Sequence, residues 1–133
     1  MRTLLTAFAA VCLLACGDDA TTGATPKQVP PPPAAVSAKI VNNNLELSWT
    51  EVPGATSYNV YMAAEAGVKR VNYASLTGNM FHPGEAAGKF DHPAGLDPNM
   101  KYYLVVTAVN ADGEGAESCE VGAVIAANVG ESC

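Results

Sequence analysis

Positive charge is scarce in this chain. Seven Lys and Arg face thirteen Asp and Glu among 133 residues, a formal charge of −6. Lys69-Arg70 is the one basic pair, read here as a solvated strand or turn end. Nucleic-acid binding needs clustered Lys and Arg, so that class is excluded as a partner. There is no Cys-x-x-Cys, which removes the usual zinc pair and c-type haem attachment. There is no Gly-x-Ser-x-Gly, no phosphate-cradling glycine loop and no Arg-Gly-Asp. No window carries a sustained helical period with caps. Histidine occurs only twice, at His82 and His92.

An apolar run from Leu4 to Leu14 follows Arg2. Roughly 20 apolar residues are needed to span a bilayer, so the run is too short for a stable transmembrane helix. It has the length of a cleaved signal peptide. A plain secretory signal would share this much. Leu13-Leu14-Ala15-Cys16 resembles the lipobox of bacterial lipoproteins. The resemblance implies cleavage after Ala15 and acyl chains (palmitate among the usual ones) on Cys16, enough to hold a membrane stably. Gly17 stands where an Asp would signal inner-membrane retention, so the resemblance implies an outer-membrane lipoprotein, on the periplasmic face or the cell surface. Removing residues 1–15 takes away only Arg2 among charged groups, giving a formal charge of −7.

Four cysteines allow three pairings. If Cys12 leaves with the signal peptide and Cys16 carries lipid, Cys119 and Cys133 remain. In an oxidising compartment these two are expected to form a disulfide. Residues 17–34, with Pro30-Pro31-Pro32-Pro33, read as a tether whose proline part is stiff.

From Ala35 to Ala126 short alternating runs separated by Gly, Pro and Asn predict an all-β domain. Val36–Ile40 is a first strand and Asn42-Asn43-Asn44 a turn. Leu45, Leu47 and Trp49 alternate with polar residues, as in a strand with one buried face. Ser57–Ala63 places Tyr58, Val60 and Met62 on one face. One or two short strands are expected within Val68–Leu76, and Phe90 is expected to begin another. Lys101–Asn110 is apolar on both faces and therefore central. Val121–Ile125 is the return strand. About seven short strands in about 90 residues is the profile of a β-sandwich.

The residues from about Pro33 to Ala126 resemble a fibronectin type III domain, an immunoglobulin-like seven-stranded sandwich. Leu45-Glu46-Leu47-Ser48-Trp49 is similar to that family's second strand with its core tryptophan. Val52-Pro53-Gly54-Ala55 through Tyr61 resembles its following turn and third strand. Leu96-Asp97-Pro98 and then Tyr102 match its tyrosine corner, and Val106–Glu114 its sixth strand and following loop. The resemblance implies a core built on Trp49, Tyr58, Leu96 and Tyr102, with the Tyr102 hydroxyl returning to backbone near Leu96. Beyond the family's usual end, Ala127–Cys133 must double back for Cys133 to reach Cys119, and is expected to cover the last strand's edge.

His82 and His92 match no zinc spacing and are expected to be exposed loop residues anchored by Phe81 and Phe90. Asp112-Gly113-Glu114 reads as turn chemistry rather than a calcium loop. No catalytic, metal or cofactor site is expected. Tyr61, Tyr73 and Tyr103, if exposed, would form an aromatic strip for sugar or protein, with Tyr61 and Tyr103 as the candidate binding surface. The expected function is therefore a non-enzymatic, lipid-anchored envelope module for binding, adhesion or assembly, recognising a protein or surface polysaccharide. The alternative is a structural spacer without a ligand of its own.

Overall fold

The computed structural model describes residues 25–86 and 88–133. The alternating runs form two antiparallel sheets packed face to face. β1 (Ala34–Val41), β2 (Asn44–Thr50) and β5 (Lys89–Asp91) make one sheet, in the order β1-β2-β5. The other has the order β4-β3-β6-β8-β9, from β3 (Ser57–Ala63), β4 (Met80–Glu85), β6 (Lys101–Asn110), β8 (Val121–Val124) and β9 (Val129–Gly130). A two-residue β7 (Gly113–Glu114) folds back on the end of β6.

Local chemistry sets these boundaries. Asn42 and Asn43 both adopt positive φ, 50° and 63°, so a tight turn joins β1 to β2. That backbone matches the twist of a hairpin, and Asn tolerates it better than other side-chain-bearing residues. β4 carries an extra residue opposite Tyr58–Val60, at Pro83-Gly84. Proline has no N–H to give a ladder, and β4 is a sheet edge, where such a bulge is tolerated.

The period-2 pattern fixes what lies between the sheets. Val36, Ala38, Leu45, Leu47 and Trp49 from one sheet meet Tyr58, Val60, Met62, Tyr102, Leu104, Val106 and Val121 from the other. Trp49 and Tyr58 pack with ring centroids 5.2 Å apart. The Tyr58 hydroxyl accepts the Val52 N–H at 2.7 Å. The Tyr102 hydroxyl accepts the Asp97 N–H at 3.0 Å, tying the crossover beside partly buried Leu96 to the core.

Three expectations are corrected here. Val68–Leu76 holds no strand; it contains a short 3-10 turn, Tyr73–Ser75. Phe90 sits in the middle of β5 rather than at its start, with its ring in the core. The proline run is packed rather than free. Pro30 and Pro33 are buried while Pro31 and Pro32 are exposed, the three-residue period of a polyproline helix laid along a surface. A Cβ on Gly115 would stand 2.0 Å from the Pro30 carbonyl oxygen, so only glycine permits that approach. The Cys16 anchor and Gly17 lie outside the described residues.

Candidate binding cleft and the two sheet edges

The outer face of the larger sheet is closed. Tyr61 and Ala63 on β3 and Val105 on β6 point away from the main core, yet all are buried. The excursion between β3 and β4 lays Val68, Tyr73 and Leu76 over them. Acceptors from the strand-to-strand segment after β7 hold it down. Glu120 accepts the N–H groups of Gly67 and Val68 at 2.8 and 2.6 Å, and Glu117 accepts that of Arg70 at 2.8 Å. Arg70 also donates to the carbonyl oxygens of Glu114 and Gly115, so it is a clamp rather than a solvated end.

This arrangement corrects the aromatic strip. Tyr61 is only 3% exposed, stacked on Phe81 at 4.8 Å and set edge-on to Tyr73 at 4.9 Å. Its hydroxyl donates to Glu114 at 2.7 Å. Burial, then the Glu114 carboxylate, push the phenol well above its ordinary range. Tyr103 is half-buried, and the Lys101 ammonium sits 5.1 Å from its ring centre. The Glu114 carboxyl titrates below the usual carboxylate range. Burial opposes this, but hydrogen bonds from Thr107 and Tyr61 and the Arg70 charge prevail.

One edge of the sandwich is stapled. After β8 the chain turns at 125–128 and runs back as β9, pairing Ala123 with Gly130. It then crosses to the other sheet. Ala38 N–H donates to Glu131 O at 2.8 Å, Ser37 bridges Ser132, and Cys133 N–H donates to Val36 O at 2.9 Å. A Cβ on Gly130 would lie 2.1 Å from the Ala38 carbonyl oxygen, so the crossing requires glycine. Cys119 and Cys133 are joined as a disulfide, with Cα atoms 6.4 Å apart. The tail thus covers the open flanks of both β1 and β8.

The opposite edge, where β4 faces β5, carries the histidines. The expectation of exposed loop residues fails for both: His82 lies on β4 and is half-buried, and His92 is 7% exposed. Met80 and His82 alternate along β4, and Phe90 lies on β5 two residues before His92, so each pair shares a face. The four side chains meet. The His82 ring lies 4.7 Å from Phe90 and 5.0 Å from His92, centre to centre. Burial, then the neighbouring His92, lower the His82 pKa below the ordinary imidazole value.

A cleft of about 340 Å³ opens at one pole of the sandwich, among the β1–β2 turn, the β5–β6 crossover and the turn after β8. Leu45, Leu96, Pro98 and Ile125 supply its apolar wall, and Asn43 and Asn44 polar groups at its mouth. Two backbone bonds hold the walls: His92 N–H to Leu45 O at 2.9 Å and Ala126 N–H to Pro98 O at 2.7 Å. The incoming chain docks at the other pole. Gln28 N–H donates to Asp112, and the Asn110 side chain donates to Gln28 O. The ten residues of β6 separate the two poles by about 30 Å.

The fibronectin type III domain model matches residues 30–123. The chain belongs to the fibronectin type III family. Solved structures agree on the fold. A Fn3-like protein from Clostridium thermocellum is 24% identical, with TM-score 0.51, over 72% of this chain and 90% of that one. A mutant FN3tt is 22% identical, with TM-score 0.57, over 74% and 98%. The FN5 domain of Drosophila Lar is 23% identical, with TM-score 0.53, over 71% and 95%. No curated protein matches the chain. A fibronectin type III domain is a binding or structural module and is generally non-catalytic. In this fold β1, β2 and β5 are one sheet, and the family match begins at Pro30, inside the stretch expected to be tether. The tail from Val124 onward lies beyond the matched residues. The second apolar layer left a trace in sequence: Tyr61, Ala63, Tyr103 and Val105 make the outward faces of β3 and β6 apolar, which requires a cover.

Proposed function

We propose that this is a lipid-anchored binding module of the bacterial envelope, which engages a protein partner through the cleft at its distal pole. The observation that carries the reading is the placement of the cleft. The chain enters at the Asp112 pole and the cleft opens at the other. A domain held by lipid at Cys16 through residues 17–27 would present that cleft away from the membrane. The cleft volume is at the small end of ligand-site sizes, suited to one or two apolar side chains of a peptide segment. The asparagines at its mouth offer hydrogen bonds to the backbone of such a segment. The burial of Tyr61 removes the aromatic platform on which a polysaccharide reading rested, so protein is the favoured partner.

Membrane fractionation and affinity capture test this. The chain is expected in the outer membrane, and Cys16→Ser is expected to release it. Capture from solubilised membranes is expected to yield a stoichiometric protein that is lost on Ala94→Trp, which fills the cleft. Retention of Cys16→Ser in the membrane would refute the anchor. Absence of a stoichiometric partner would leave the spacer role instead.

A further inference from the structure

We propose that Met80, His82 and His92 form a binding site for Cu(I) at the edge where the two sheets meet. His92 also lines the distal cleft, but the site is built from its own contacts and does not depend on what the cleft binds. His92 Nε2 lies 3.3 Å from Met80 Sδ, and His92 Nδ1 lies against the Pro93 carbonyl oxygen. A thioether sulfur and a carbonyl oxygen both offer only lone pairs. A neutral imidazole carries one N–H, which satisfies one of these contacts and leaves the other as two acceptors face to face. With the hydrogen on Nδ1, donating to Pro93, the Nε2 lone pair is directed at sulfur. A cation between nitrogen and sulfur resolves the conflict.

A second observation concerns His82. Its Nε2 is buried and has no hydrogen-bond partner, although its ring is in edge-to-face contact with His92. A buried polar atom left unsatisfied in a native protein calls for a physical reason, and an absent ion is one. Two imidazoles and one thioether thus converge on one edge, from alternate positions 80 and 82 of β4 and from the residue that follows β5.

The donor set selects the metal. Among the described residues no three His, Cys, Asp or Glu side chains gather as a metal site. Oxygen-seeking Mg²⁺ and Ca²⁺ have no carboxylate here. Zn²⁺ favours thiolate, imidazole and carboxylate over thioether. Soft thioether with imidazole suits Cu(I). The ligands are neutral, so a bound monovalent ion leaves a single positive charge to accommodate. With bonds of about 2.0 Å to nitrogen and 2.3 Å to sulfur, as at zinc, the two donors would stand roughly 3.7–4.3 Å apart, about 0.4–1.0 Å wider than the present 3.3 Å. Met80, with three rotatable bonds, can provide that movement. Met80 and His82 are both half-exposed, which gives the ion a route in. Phe90 backs the His82 ring from the core side. The ion would tie β4 to the end of β5, on the edge opposite the Cys119–Cys133 disulfide.

The test is anaerobic competition against the chromophoric Cu(I) chelator bicinchoninate. It uses the full chain carrying Cys12→Ser and Cys16→Ser, so that no free thiol competes. One Cu(I) per chain is expected to leave the chelator. The Met80 methyl and the His82 and His92 ring protons are expected to shift together in NMR at one equivalent. Met80→Leu and His82→Gln, which preserve side-chain volume, are each expected to weaken binding at least tenfold while retaining the wild-type circular dichroism. The proposal is overturned if bicinchoninate keeps all the copper, if both variants compete like the parent, or if the shifts appear away from these three residues.

Discussion

Removing the Cys119–Cys133 bond is expected to cost about 3 kcal/mol. The bond closes a loop with a sequence separation of 14, and loops of about 15 residues lose roughly that much chain entropy when unfolded and cross-linked. The tail's own bonds add little beyond this. Its backbone contacts to Val36, Ala38 and Gly122 are worth about 1 kcal/mol each, and ordering each tail residue costs a similar amount. At about 4 °C per kcal/mol for a domain near 100 residues, Cys119→Ala with Cys133→Ala should melt about 12 °C lower. Without the cross-link the tail is held by terms that nearly cancel, so it should undock locally before the sandwich unfolds. Thermal melting gives the first number, and amide exchange gives the second. The Ala38 N–H, which donates to Glu131 in the tail, should exchange far faster in the variant, while the Leu47 and Val106 amides stay protected. A loss under 1 kcal/mol together with unchanged Ala38 protection would refute the staple.

Trp49→Ala empties the centre of the core and should cost about 3–5 kcal/mol by urea denaturation. Tyr102→Phe leaves the Asp97 N–H without its acceptor and should cost about 1–2 kcal/mol, so the order of the two midpoints checks the assigned core. Glu120→Ala removes the acceptor of two backbone N–H groups, and the Gly67 and Val68 amides should lose exchange protection while β6 does not. Glu114 and Glu117 both have carboxyls lowered from 4.5 in the folded chain, through hydrogen bonds and the Arg70 charge acting against burial. A depressed folded value contributes stability above the unfolded pKa that disappears as pH falls through the folded one. Stability should therefore hold down to about pH 5 and fall below about 4.5, with Glu114→Gln flattening the decline.

Sequence conveyed the inner layer of the fold well. Leu45, Leu47 and Trp49, then Tyr58, Val60 and Met62, alternate with period 2, and each of those six side chains lies between the sheets. The tyrosine corner was legible because Leu96, Asp97 and Tyr102 are close in the chain and their bond is local. The aromatic strip was not, because whether Tyr61 faces water depends on what covers it. The cover, Val68 to Leu76, is irregular chain held by Glu114, Glu117 and Glu120 from some fifty residues away. No periodicity encodes such a contact. The histidines were misplaced for the same reason. Pro83, Gly84 and Pro93 beside them suggest loops, yet Pro83-Gly84 is a bulge inside an edge strand and His92 turns inward behind Phe90. Polyproline makes no internal hydrogen bonds and so resembles a tether in sequence, which does not prevent one of its faces from packing.

The central claim is that the distal cleft meets a protein while the Asp112 pole faces the anchor. Photocrosslinking in intact cells tests it most directly, with benzoylphenylalanine at exposed Ala126 on the rim of the cleft or at Asp112 by the tether. One discrete protein adduct is expected from position 126 and none from position 112. No adduct at 126, or the same adduct from both positions, would contradict it.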